Sequence, residues 1–261
     1  MSIHVLEKGI VERQLALARK LHDEWIKNWS ARFKFEAKAD GLVMSLHATL
    51  IEYSAAFVTL VEKNRHVGAT SVLRSFVEAY VDLTNLNADP SYQDSMLADY
   101  HEQWIRVLRA SGDVKNTYLH GIADVAKDGG QLRWHEMALE DLRKKSIKPL
   151  TKAERFERAD MTSFYRSIYN FLCAEAHNDI RALIARHLSR GKESGSKLVG
   201  YKLREARQTI LELELICGLL FSATYQIHLR LKTDCGVEMG EVEEELKRIR
   251  EQLDQAASLW Q

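Results

Sequence analysis

Apolar residues recur at alternating steps of three and four along nearly the whole chain, the spacing of helices that turn one face inward. No stretch shows the strict alternation of a strand. Val5, Ile10, Leu17, Leu21 and Trp25 supply the apolar side of a first helix over about 3–29. Leu46, Leu50, Tyr53 and Phe57 mark a second over about 40–64, and a third spans about 68–87. Asp89-Pro90 then marks a boundary, with Pro suited to a first turn and Asp to an N-cap, before a fourth helix at about 91–109.

The pattern weakens over about 111–150, where glycines sit among polar residues, and this predicts a loop-rich insertion of short helices. Thr151 and Glu154 have the spacing of a capping box at the start of the next helix. A buried helix is predicted over about 162–188, followed by a mobile loop at about 189–199, where SRGKESGSK holds no apolar residue. Leu203, Ala206, Ile210, Leu213, Cys217, Leu220, Thr224 and Ile227 form the strongest stripe, with Leu211, Leu215 and Leu219 as a second. Two stripes imply burial on both sides, so a long central helix is expected near 201–230. Val242, Leu246, Ile249, Leu253 and Ala256 mark a last helix, whose stripe either packs back or forms a homodimer seam through 240–260. The expectation is an all-α multi-helix bundle, one domain over 1–261.

Composition agrees with that reading, because 2 Pro and 13 Gly in 261 residues leave few helix breakers. Lys plus Arg and Asp plus Glu both number 37, so the net charge is zero. That balance excludes the overall basic footprint of a protein built to hold duplex DNA tightly, while leaving room for a local basic site. The longest apolar run, Leu215 to Ala223, is short of the roughly 20 residues that cross a bilayer, and the first residues lack a signal-type apolar run. Three cysteines without a CxxC pair suggest neither a disulfide framework nor a zinc site. A soluble, cytoplasmic protein without membrane contact is expected.

HExxH, Walker-type, GxGxxG and GxSxG patterns are missing, as is the Glu-x-x-His pair of di-iron bundles. No metal and no cofactor is expected on these grounds. Two segments carry candidate chemistry. In GATSVLRSFVEAYVDLTNL, Ser71, Arg74, Ser75, Glu78, Asp82 and Asn85 fall within about a 100° sector of an otherwise apolar helix. Either this is a solvated face with an ordinary Arg74–Glu78 pair, or Arg74 binds an anion and Glu78 orients it. In FYRSIYNFLCAEAHNDIRALIARH, Phe164, Ile168, Phe171 and Leu172 pack one side. Arg166, Asn170, Cys173, His177 and Arg181 form a polar stripe on another. Glu175 and Asp179 lie near the apolar side and need partners, for which Arg74 is one candidate. His177 sits one turn from the permanent cation Arg181, which favours the neutral, proton-accepting ring.

The first of these blocks resembles the Arg-Ser-x-x-Glu helix of the mostly bacterial domain-of-unknown-function 5677 family, and the second its Tyr-rich helix ending in Ser-x-x-x-His. Carried over by position, the matches are Arg74, Ser75, Glu78, Tyr165 and His177, with Cys173 standing where the family usually has Ser. The resemblance spans about 45–190 and implies an all-helical fold without an established activity. A more distant likeness, to the helical HEPN group of nucleotide-binding proteins and toxin ribonucleases, rests on Arg181 and His187 with five residues between them.

Two functional readings are open, and the sequence does not decide whether the protein is an enzyme. In one it is a metal-independent ribonuclease of toxin or defence type. His177 or His187 would then move the 2′-hydroxyl proton, with Arg181 and Arg74 on the phosphate and Glu78 orienting an Arg or the imidazole. In the other it is a non-catalytic helical module that binds a partner protein or a small anionic ligand. Arg74, Glu78 and His177 would then be a structural polar network. The partner expected is accordingly RNA, a small anion or another protein.

Overall fold

The computed structural model describes residues 3–29, 38–113, 116–119, 129–177, 179–190, 196–200, 205–234 and 236–260. The protein is all-α apart from one two-stranded hairpin among these residues. Its contacts gather into two compact units, Met1–Asn87 with Thr162–Gln261, and Ala88–Met161. The sequence reads as one domain with an insertion at about 111–150; the second unit opens earlier, at Ala88.

The first unit is built on α1 (Ile3–Glu24, running into a π-turn at Trp25–Trp29), α2 (Lys38–Glu62) and α3 (His66–Ala88). Asn64 closes α2 in the left-handed conformation, φ 54°, and the Arg65 N–H returns 2.7 Å to the Leu60 carbonyl. That turn satisfies the last carbonyls of α2 and sends the chain directly into α3.

The second unit holds α4 (Tyr92–Ser111), α5 (Gly130–Lys144) and α6 (Lys152–Arg158). The Asp89 carboxylate accepts the Ser91 N–H at 2.9 Å ahead of α4, and Thr151 and Glu154 form the reciprocal capping box of α6. Ala98 and Ile105 of α4 meet Leu139 of α5 in a small core. Within the predicted insertion, α5 is a full 15-residue helix, while 114–115 and 120–128 lie outside the described residues.

Back in the first unit, a turn at Thr162–Phe164 and a π-turn at Tyr165–Tyr169 lead into α7 (Asn170–Ala176) and α8 (Ile180–His187). The single helix expected over 162–188 is therefore broken. Asp179, in extended backbone at ψ 140°, accepts the Arg181 N–H at 2.9 Å and starts a new helix. The expected loop at 189–199 opens and closes as a hairpin, with β1 (Leu188–Arg190) antiparallel to β2 (Ser196–Leu198). Residues 191–195 lie outside the described residues.

The long helix is α9 (Ala206–Leu231), which packs on α1, α2 and the last helix, α10 (Gly236–Leu259). Ile210, Leu213, Ile216, Cys217, Leu220, Ala223 and Ile227 are fully buried. The second stripe behaves otherwise: Leu211 is 49% exposed, and Leu215 and Leu219 are half-buried. Burial is thus one broad face rather than two sides. Polar groups widen it from within, His47 Nε2 bonding Thr224 Oγ1 at 2.9 Å and Gln14 Nε2 bonding the Ile210 carbonyl at 3.1 Å. Val242, Leu246, Ile249 and Ala256 of α10 are buried, packed back on α1 and α9. Asp40–Glu62 and Ala206–Leu231 are long and apolar enough to cross a membrane, and about half of each scanned stretch is buried inside the protein.

Candidate functional site

Arg74 and Glu78 stand one turn apart on the outward edge of α3, with Nη2 3.2 Å from Oε1. The Tyr169 hydroxyl donates to the same Glu78 oxygen at 2.7 Å, and the Arg74 guanidinium lies 5.9 Å from the Tyr169 ring centre. Arg74 Nη1 lies 2.6 Å from His177 Nε2. A guanidinium has no lone pair to offer, so Nε2 must accept and the ring is neutral with its proton on Nδ1. Arg74 and Glu78 are only 25% and 22% exposed, so the polar stripe of α3 is not a freely solvated face. Burial, then the bond to Glu78, pushes the Tyr169 phenol well above its ordinary range, which keeps it a donor.

Tyr169 is not among the residues the sequence singles out. The π-turn at Tyr165–Tyr169 adds a residue to one turn and rotates α7 relative to the course of an ideal helix. Tyr169 and Leu172 therefore point inward, 3% and 1% exposed. Ile168 and Phe171, expected to pack, stand 36% and 51% exposed instead. The signal that could have found Tyr169 is its spacing of four from Tyr165, on which it stacks at 5.5 Å.

The partners expected for the two carboxylates are also different. Glu175 does not meet Arg74; its carboxylate faces Arg186 Nε at 3.6 Å, and its carbonyl accepts from the same guanidinium. Asp179 is occupied as the cap of α8. The break before α8 interrupts the polar stripe, leaving Arg181 with its side chain 88% exposed and 3.4 Å from Asp179. His187 lies at the other end of α8, where Nδ1 is 3.2 Å from the Val199 carbonyl. A carbonyl only accepts, so Nδ1 carries the proton and Nε2 is the ring's other bonding site. The structure thus brings Arg74, Glu78 and His177 together around Tyr169, and it does not bring Arg181 and His187 to one point.

His187 instead lines a cleft of about 410 Å³ within the first unit. Arg65 and His66 reach it from the start of α3, Arg186 from α8 and Glu175 from α7. Arg65 and His66 carry no signal in the sequence pattern, because they fall in the turn between two apolar helices. Among the described residues, no group of three or more His, Cys, Asp or Glu is placed to hold a metal ion.

The family model described as a family of unknown function (DUF5677) matches residues 40–196. No curated protein and no solved structure matches the chain. The matched span is more than half of the 261 residues and contains Arg74, Glu78, Tyr169 and His177. The chain belongs to the family of unknown function DUF5677.

Proposed function

We propose that this is a cytoplasmic, non-catalytic helical module that binds a small anionic ligand. In this reading Arg74, Glu78, Tyr169 and His177 brace α3 against the segment from the π-turn to α7. The observation that supports it is the 2.6 Å contact between Arg74 Nη1 and His177 Nε2. A general base needs a lone pair aimed at the proton it removes, and this contact occupies that of Nε2. Arg74 in turn serves Glu78 and His177 together, which is the behaviour of a brace rather than of a phosphate clamp held open for substrate. The separation of Arg181 from His187 likewise speaks against a His and an Arg on one scissile phosphate.

The test combines two measurements on purified protein. Arg74→Ala and Glu78→Ala should each lower the melting temperature by several degrees, since each strands a half-buried partner. Single-stranded RNA incubated with the wild type should remain intact. RNA cleavage that is lost in folded His177→Ala would replace this reading with the ribonuclease one.

A further inference from the structure

We infer that α8 and the hairpin that follows it form a surface that docks on an anionic lipid bilayer. The helix is turned inside out. Ile180, Leu183 and Ile184 fall within about a 100° sector and face outward, Ile180 at 71% exposure and Ile184 at 49%. The inward side holds Ala182, 3% exposed, and Arg186, whose covered guanidinium pairs with Glu175. A helix that serves only its own fold puts the cation out and the branched aliphatics in. The hairpin extends the apolar surface past the end of α8. The Val199 N–H meets the His187 carbonyl at 2.8 Å, which holds β2 beside the end of the helix. Leu198, directly opposite Leu188 in the register, is 77% exposed. Apolar side chains gathered in this way mark a contact surface.

Charge and shape select the occupant. Arg181 follows Ile180 and Lys197 precedes Leu198, and both cations are exposed. The acid beside them, Asp179, is engaged by the Arg181 N–H and side chain. Apolar tips edged by cations suit a layer with negative headgroups above hydrocarbon. The aliphatic side chains stand out from a two-turn helix and a hairpin, and neither Trp nor Tyr occurs in α8, β1 or β2. Protein partners are held chiefly by Trp, Tyr and Arg anchors seated in hollows, whereas a fluid bilayer needs no matching hollow. At about 12 Å long, α8 lies along the surface and does not cross it. This revises the expectation of no membrane contact, which rests on the lack of a spanning run; a surface contact needs none.

Flotation of the full chain with vesicles tests this, using phosphatidylcholine alone and phosphatidylcholine mixed with phosphatidylserine. The wild type should float with the mixed vesicles, less so as salt rises, and only weakly with phosphatidylcholine alone. Ile180→Ser with Ile184→Ser should weaken partition roughly tenfold or more. Arg181→Gln with Lys197→Gln should remove the preference for phosphatidylserine. Leu229→Ser is the control: Leu229 is 61% exposed but lies 21 residues along α9 from Gln208, roughly 30 Å from the cleft that Gln208 shares with His187, and its loss should change nothing. Both isoleucines are exposed, so the double variant should melt with the wild type; if it melts early, Ile180→Ser alone carries the test. A wild type that stays off the mixed vesicles, or serine variants that float as well as it does, would overturn the inference and leave the brace at Arg74 untouched. Sedimentation without lipid completes the test. A wild-type oligomer that Ile180→Ser dissolves would assign the face to a second copy of the chain and likewise overturn the bilayer.

Discussion

Arg74 of α3 donates to the Nε2 of His177, the residue that ends α7, across 2.6 Å. The two lie 103 positions apart in the chain, so the bond joins two elements that sequence proximity does not hold together. Glu78 receives Arg74 and Tyr169 on a single oxygen, which ties the π-turn into the same set.

Tyr169→Phe removes one donor to a charged acceptor and leaves the ring packing intact. A loss of about 1 kcal/mol is expected, or roughly 2–4 °C in the melting temperature of a unit this large. Glu78→Gln keeps an acceptor oxygen but loses the charge, so it should lose a similar amount, and the double variant should lose less than the sum, because both weaken the same bond. Thermal melts of the three variants check this.

Asp179 provides a separate handle on the cleft. Asp179→Ala removes the cap of α8 and should cost about 1 kcal/mol, while Asp179→Asn should be nearly neutral. Amide hydrogen exchange should show faster exchange in α8 for the alanine variant alone.

Legibility in the sequence differs from place to place. The polar edge of α3 follows from 3.6-residue periodicity, because seven apolar neighbours fix which way Arg74 and Glu78 face. The pairing of that edge with His177 is expected as a juxtaposition, whereas Tyr169 is hidden by the π-turn, which no local pattern in FYRSIYNF announces. Asp179 reads as a buried charge in want of a partner. Periodicity cannot distinguish that from a cap, since both place Asp beside apolar positions. The second stripe of α9 misleads for a related reason. Thr209, Glu212 and His228 are buried polar residues that widen the inward face, and hydrophobic counting leaves them outside it.

The fully buried His47 is held neutral, its pKa lowered to about 3 by burial and then by His228. The Thr224 hydroxyl is donated to the Leu220 carbonyl, so His47 Nε2–H donates to it, and a second ring proton would fall on the buried Nδ1, which has no hydrogen-bond partner among the described residues. The unfolded chain takes up that proton near the ordinary imidazole value of about 6.5, where the folded chain does not. Stability is therefore full above that pH and is lost progressively as pH falls toward 3. Urea unfolding at a series of pH values should show this decline, and His47→Gln should flatten it.

In the second unit, His101 of α4 and His135 of α5 face each other, Nδ1 to Nδ1, at 2.9 Å. Burial lowers both pKa values, and the neighbouring His101 lowers that of His135 further. One proton can sit between the two nitrogens; a second cannot. The contact is thus stabilising above the ordinary imidazole range and is lost as pH falls through it. Nuclear magnetic resonance of the imidazole protons should show the pair titrating below a free histidine, with α4 and α5 loosening over the same interval.

The brace itself is tested most directly by a double-mutant cycle on Arg74 and His177, read by equilibrium urea unfolding. Arg74→Ala, His177→Ala and the double variant should show a coupling of about 0.5–2 kcal/mol, with the double variant less damaged than the two single losses predict. Strictly additive losses, or single variants as stable as the wild type, would contradict it.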